Sequence, residues 1–169
     1  MTPRIVGAFW FVVCLARTAS PCQVIGPVPS AGDYVRSADV IVRATPTGFA
    51  VEAAGNRLVG PNGAPSSQVA FRVLEVLKGS AVARELTLPG RLSDDDDFNR
   101  GPVPYAWARP SSHAPCYADF YRVEAEFLLI LRETSPGVLS ARWAPLAPLN
   151  EQLRGSDDPW LLWVRDQLN

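Results

Sequence analysis

Few residues in this 169-residue chain are of the types that carry out chemistry. There are three cysteines, Cys14, Cys22 and Cys116, and one histidine, His113. A Cys–His pair such as Cys22 and His113 could serve as nucleophile and base if the two were in hydrogen-bond reach and the thiol were acidified. His113 stands in "ARPSSHAP", where a solvated loop histidine is the ordinary reading. The run Asp94, Asp95, Asp96 and Asp97 offers hard oxygen ligands for a cation such as Ca²⁺. Consecutive aspartates cannot all converge on one ion, and the alternating spacing of a calcium loop is missing. A solvated charged loop is the competing reading. In "YAWARP" (105–110), Tyr105 and Trp107 form either a binding surface or a cover folded over one end of the domain. The sequence has no CxxC or HxxxH spacing, no glycine-rich phosphate loop and no G-x-S-x-G. It therefore predicts no catalytic residue and no cofactor.

How the cysteines are used depends on whether the chain is exported. "MTPR" reads as a short positive leader, "IVGAFWFVVCLA" as an apolar stretch too short for a bilayer, and "RTAS" as a small-residue end. Residues 1–20 are therefore expected to be a signal peptide, and 21–169 a single domain. An uncleaved N-terminal anchor is the alternative. Ala16 and Ser20 both offer a small residue for cleavage, and Pro21 follows the second. Secretion or a cell-envelope location follows, with no membrane span once the signal is removed. Cys14 leaves with the signal, so Cys22 and Cys116 remain as an even pair, which in an exported chain suggests a disulfide. The formal net charge is −1. Without Arg4 and Arg17 the balance is 14 basic to 17 acidic residues, which gives no footprint for nucleic acid.

The elements that would position these residues are mostly strands. Ser30 followed by Asp33 predicts a capped helix over 31–37. "ADVIVRATPTGFAVE" (38–52) predicts a long strand with a bulge or bend at Pro46 and Gly48. A loop rich in Gly, Pro, Asn and Ser follows over 53–67. "QVAFRVLEVLKG" (68–79) alternates, then slips phase at Leu74, which predicts a second bulge. A short strand lies in 83–90 and an irregular connection in 91–115. "EFLLIL" reads as a buried strand, and "VLSARW" (138–143) as its return. Asp158 and Pro159 open a C-terminal helix with Trp160, Leu161, Trp163, Val164 and Leu168 on one stripe. A mainly β fold is expected: a five-stranded OB-fold-like closed barrel with a short N-terminal and a C-terminal helix.

Several stretches carry a family resemblance. Cys22 precedes a short helix, "ADVIVRA" (38–44) stands where a first barrel strand would, and "FRVLEVLKG" (71–79) ends in Lys78-Gly79. Cys116 is followed by Glu126-Phe127-Leu128, and "LNEQL" (149–153) occupies the closing position. This order resembles the tissue-inhibitor-of-metalloproteinases family and its netrin-like module, an OB-fold. The resemblance implies a Cys22–Cys116 disulfide, the pair that counting also gives. It implies an exported, non-catalytic protein-binding module whose partner is an extracellular or envelope protein, a metalloproteinase among the candidates. The candidate partner contacts are Cys22, Gln23, Val24, Tyr105 and Trp107. Two alternatives accompany this reading: a metalloproteinase inhibitor acting through the Cys22 region, and a secreted enzyme. Inhibitors of the family begin Cys-x-Cys and chelate zinc through the first cysteine's free amine. Here Val24 stands in the second cysteine's place and Pro21 precedes Cys22.

Overall fold

A computed structural model describes residues 22, 26–52, 64–80, 82–110 and 116–169. The expected signal peptide, Gln23, Val24, His113 and most of the 53–67 loop lie outside the described residues. The elements run α1 (Ala31–Ser37), β1 (Val40–Val51), β2 (Gln68–Lys78), β3 (Glu85–Pro89), β4 (Arg91–Ser93), β5 (Phe120–Arg122), β6 (Glu126–Ser135), β7 (Val138–Ser140), β8 (Asn150–Leu153) and α2 (Pro159–Leu168). No helix among the described residues is long and apolar enough to cross a membrane.

The sheet explains the apolar runs. Phe127 to Leu131 in β6 are all fully buried, because both faces of this strand are covered. Phe127, Leu129 and Leu131 join an inner cluster with Val42, Val69, Phe71, Leu88 and Tyr121. Leu128 and Ile130 join Ile41 in an outer cluster beneath α1 and α2. Both helices have the caps the sequence predicts. Ser30 Oγ accepts from the Asp33 amide at 3.2 Å while the Asp33 carboxylate accepts from Ser30 N at 2.8 Å. Asp158 accepts from Trp160 N at 2.9 Å, with Pro159 in the first turn.

The strand order is β3-β2-β1-β6-β7, with β8 also on β6, all antiparallel. The β1–β2 register shifts between Pro46 and Gly48, and again where Ala44 meets Val73 and Arg43 meets Glu75, leaving Leu74 unpaired. These are the two bulges that the breakers and the phase slip predict. The strand count and the closure differ from expectation. Six strands form the sheet, β4 and β5 form a separate parallel ribbon, and among the described residues no ladder joins the sheet's ends. The expected closed five-stranded barrel is thus an open sheet whose inner side chains still share one core.

Lys78 and Gly79 at the end of β2 have a local physical role. Lys78 Nζ donates to the carbonyls of Val35 at 3.0 Å and Arg36 at 2.7 Å, satisfying the C-terminal end of α1. Gly79 adopts φ +98, and a Cβ there would lie 2.9 Å from the Asp39 carbonyl. Gly137 also has positive φ, but faces open space. Gly79→Ala is therefore expected to destabilise the protein by roughly 2–3 kcal/mol and Gly137→Ala by about 1 kcal/mol, read from urea unfolding midpoints. Equal costs would show that the Asp39 contact is unimportant.

Candidate functional site

The loop that carries Tyr105 and Trp107 is held by a buried polar knot centred on Arg109. This guanidinium is fully buried. Its Nε donates to Asn150 O at 2.9 Å, and its Nη2 to Ala118 O at 2.8 Å and Phe120 O at 2.6 Å. Its Nη1 pairs with Asp97, and its face lies over Tyr121 and Phe127. The Arg109 amide donates to Glu151 Oε1 at 3.0 Å, and Asn99 Nδ2 donates to Glu151 Oε2 at 3.0 Å. Gln152 accepts from the Asp97 amide at 2.8 Å and donates to Asp96 at 2.5 Å. Asn150 donates to Ala118 O and to the Tyr121 hydroxyl. Three consecutive polar residues of β8 are therefore each satisfied in the interior by side-chain hydrogen bonds.

This knot fixes the candidate partner residues unequally. Tyr105 is 4% exposed and stacks on Trp160 at 5.0 Å, so its ring covers the outer core and presents no surface. Trp107 is 51% exposed. Its carbonyl accepts from Asn99 Nδ2 at 2.8 Å, and the next amide, Ala108 N, donates to Leu146 O at 2.8 Å. Leu146 N in turn donates to Cys116 O at 2.8 Å. Cys116 is disulfide-bonded to Cys22, with Cα atoms 5.5 Å apart across 94 positions of sequence. The structure thus brings Trp107, Cys116 and Cys22 into one hydrogen-bonded and covalent chain and takes Tyr105 out of it.

The aspartate run divides. Asp94 and Asp95 are exposed. Asp96 pairs with Arg122 at 2.5 Å, and Asp97 with Arg109. Two of the four carboxylates thus anchor the loop to basic side chains. Among the described residues no group of three or more His, Cys, Asp or Glu could hold a metal ion. Cys22, in its disulfide, has no thiol to act as a nucleophile.

Sequence reasoning did not single out Arg109, Asn99 or Glu151. The available signal was "NEQ" between Leu149 and Leu153, three polar residues flanked by apolar ones, which signals buried polarity only when the partners are known. No family model and no curated protein matches this chain.

Burial shifts two carboxyl groups in this region. Glu151 is raised from 4.5 to about 7 by desolvation, against the attraction of Arg109 and two accepted hydrogen bonds. Asp119 is raised from 3.8 to about 6 by desolvation, against the attraction of Arg142. Its Oδ2 pairs with Arg142, while its buried Oδ1 has no donor among the described residues. In both cases the native state holds a proton that the unfolded chain has released, so stability falls as pH rises through about 4–7. Asp33, lowered first by its bond from Ser30, and Asp96, lowered first by Arg122, give the opposite slope at more acid pH. The urea midpoint is expected to be higher at about pH 5 than at about pH 8, and Glu151→Gln to flatten that dependence. An unchanged slope in Glu151→Gln would contradict the assignment. Arg109→Lys is expected to cost roughly 3–5 kcal/mol, because an ammonium cannot make the forked set of bonds and leaves Asp97 unpaired.

Proposed function

We propose that this chain is an exported, non-catalytic protein-binding module of the netrin-like, metalloproteinase-inhibitor type on an OB-type fold. The observation that carries the reading is the Cys22–Cys116 disulfide joined through Leu146 to a half-exposed Trp107. An aromatic side chain whose backbone is fixed on both sides loses little entropy when a partner covers it, which is the physical profile of an interface anchor. The disulfide supports an oxidising, extracytoplasmic setting and argues against a Cys22 nucleophile. The strand order β3-β2-β1-β6 with β8 on β6 supports an OB-type arrangement, with side chains in place of its last ladder.

Zinc-directed inhibition is the narrower form of the same proposal. It requires Cys22 to be the first residue, because an amide nitrogen has no lone pair free for zinc. Protein recovered from medium or envelope fractions is expected to begin at residue 17 or 21, to take up no maleimide before reduction, and to gain two hydrogens on reduction. A chain retained inside the cell with a labelled Cys22 would overturn the proposal. A mature start at Cys22 together with inhibition of zinc proteases would make the inhibitor the better form. In pull-downs from the same fractions, Trp107→Ala is expected to weaken capture of the specific partner at least about tenfold. Capture indifferent to Trp107 would remove that residue from the interface.

A further inference from the structure

The two ends of the strand order, β3 and β7, line a single open groove of about 860 Å³. Val82, Leu86 and Leu139 belong to its apolar lining and are themselves partly buried against the inner core. Glu85 and Glu133 line it, no lysine or arginine does so among the described residues, and Arg72 is the register partner of Glu85 on β2. Among the described residues neither glutamate makes an ion pair, and the Glu133 carboxylate accepts only the Gly137 amide, at 2.5 Å. The groove shares no residue with Trp107, Cys22 or Cys116, so a role for it is independent of the protein-binding role proposed for those residues.

The β3 backbone has a defined free side. Arg84 O accepts from Val73 N at 2.8 Å, and Gly90 N donates to Ser67 O at 3.1 Å. Antiparallel pairing alternates, so residues 84, 86, 88 and 90 turn their amides and carbonyls toward β2, and Glu85, Thr87 and Pro89 turn theirs away. No described strand pairs with that side. Pro89 lacks an N–H, so the outward donors are the amides of Glu85 and Thr87, beside three outward carbonyls. Edge strands of soluble proteins are often blunted by lysine, and β3, "ELTLP", has none.

We propose that the β3 edge docks an extended peptide segment of a partner protein. The segment adds as a strand along Glu85–Pro89, lays alternate apolar side chains on Val82, Leu86 and Leu139, and presents a lysine or arginine to Glu85 and Glu133. Backbone bonds to the open edge supply affinity; the apolar wall and the two carboxylates supply selection. A second copy of β3 fits poorly, because "ELTLP" brings carboxylate to carboxylate and no cation.

A phage-displayed library of random dodecapeptides, panned against the full mature protein, tests this. Enriched clones are expected to alternate apolar residues with at least one lysine or arginine. Their synthetic peptides should slow hydrogen exchange at the Glu85 and Thr87 amides. Binding should fall at least about tenfold in Thr87→Pro, which removes only an outward N–H from a strand that already tolerates Pro89. The double variant Glu85→Lys, Glu133→Gln, whose amide oxygen can still accept from the Gly137 N–H, should lose the same binding with an unchanged Tm, and it keeps the test open if Thr87→Pro does not fold. The proposal is overturned by any of three results: no clone separates wild type from these variants, the enriched peptides lack cations, or sedimentation shows a wild-type dimer that Thr87→Pro dissociates.

Discussion

A buried guanidinium must be saturated with acceptors, and much of this fold is arranged around doing so for Arg109. Its bonds reach Asp97, Ala118, Phe120 and Asn150, and its amide reaches Glu151. Three other stretches of chain therefore meet at one residue. None can move away without leaving a charge or a carbonyl unpaired in a medium where that costs several kcal/mol. This ties down the loop before Arg109. Asn99 spans the distance from Glu151 to the Trp107 carbonyl, and Arg154 holds the Asn99 carbonyl at 2.9 Å while lying over Phe98. An exposed tryptophan is thus held rigid by an interior that it does not itself enter.

The disulfide works on the other side of the same region. Joining residues 94 apart removes a large share of the unfolded chain's freedom, about 4–5 kcal/mol on the chain-entropy account. It pins Cys22, ahead of α1, to the segment leading into β5 and β6, close to the bonds Arg109 makes to Ala118 and Phe120. On the far face of β6, α1 and α2 cover Leu128 and Ile130, and Arg165 of α2 reaches Glu75 of β2 at 2.8 Å. Arg43 joins Glu75 to Glu126 across three strands. The outer layer is therefore fastened by ion pairs and apolar contact, and the inner seam by buried hydrogen bonds.

What the sequence made legible was local chemistry. Ser30 with Asp33, and Asp158 with Pro159, cap helices through atoms three residues or fewer apart, so their spacing alone was decisive. Pro46 and Gly48 disturb any strand they enter, and the phase slip at Leu74 is a direct mark of an extra residue. Cysteine counting pointed to the disulfide on the expectation that Cys14 leaves with a signal peptide, and the Cys22–Cys116 bond is the pair it gave. The seam was not legible. β4 and β5 are three residues each, too short to show a period, and they pair in parallel across 29 positions of sequence. β8 is entirely buried yet reads "NEQL", because its polar side chains answer to Arg109, Asn99 and Asp97, between 42 and 55 residues away. Tyr105 and Trp107 differ only in which neighbour, Trp160 or water, the fold gives them.

The same contacts explain why the sheet stops short of closing. Gly90 lies against the Tyr121 ring, where a Cβ would fall 2.8 Å from Cδ2 and 3.0 Å from the Asp119 carbonyl. Only glycine lets the chain pass there, and it turns out of β3 into β4. The Arg91 amide then donates to Asp119 O at 2.8 Å, and β4 takes β5 as its neighbour. The Phe120 carbonyl of β5 is taken by Arg109, which also donates to the Asn150 carbonyl of β8. Pro89, with no N–H to give, blunts the last residue of β3 on its outward side. Side chains gathered at Arg109 hold the seam between β5 and β8, and β3 keeps an edge that no described strand pairs.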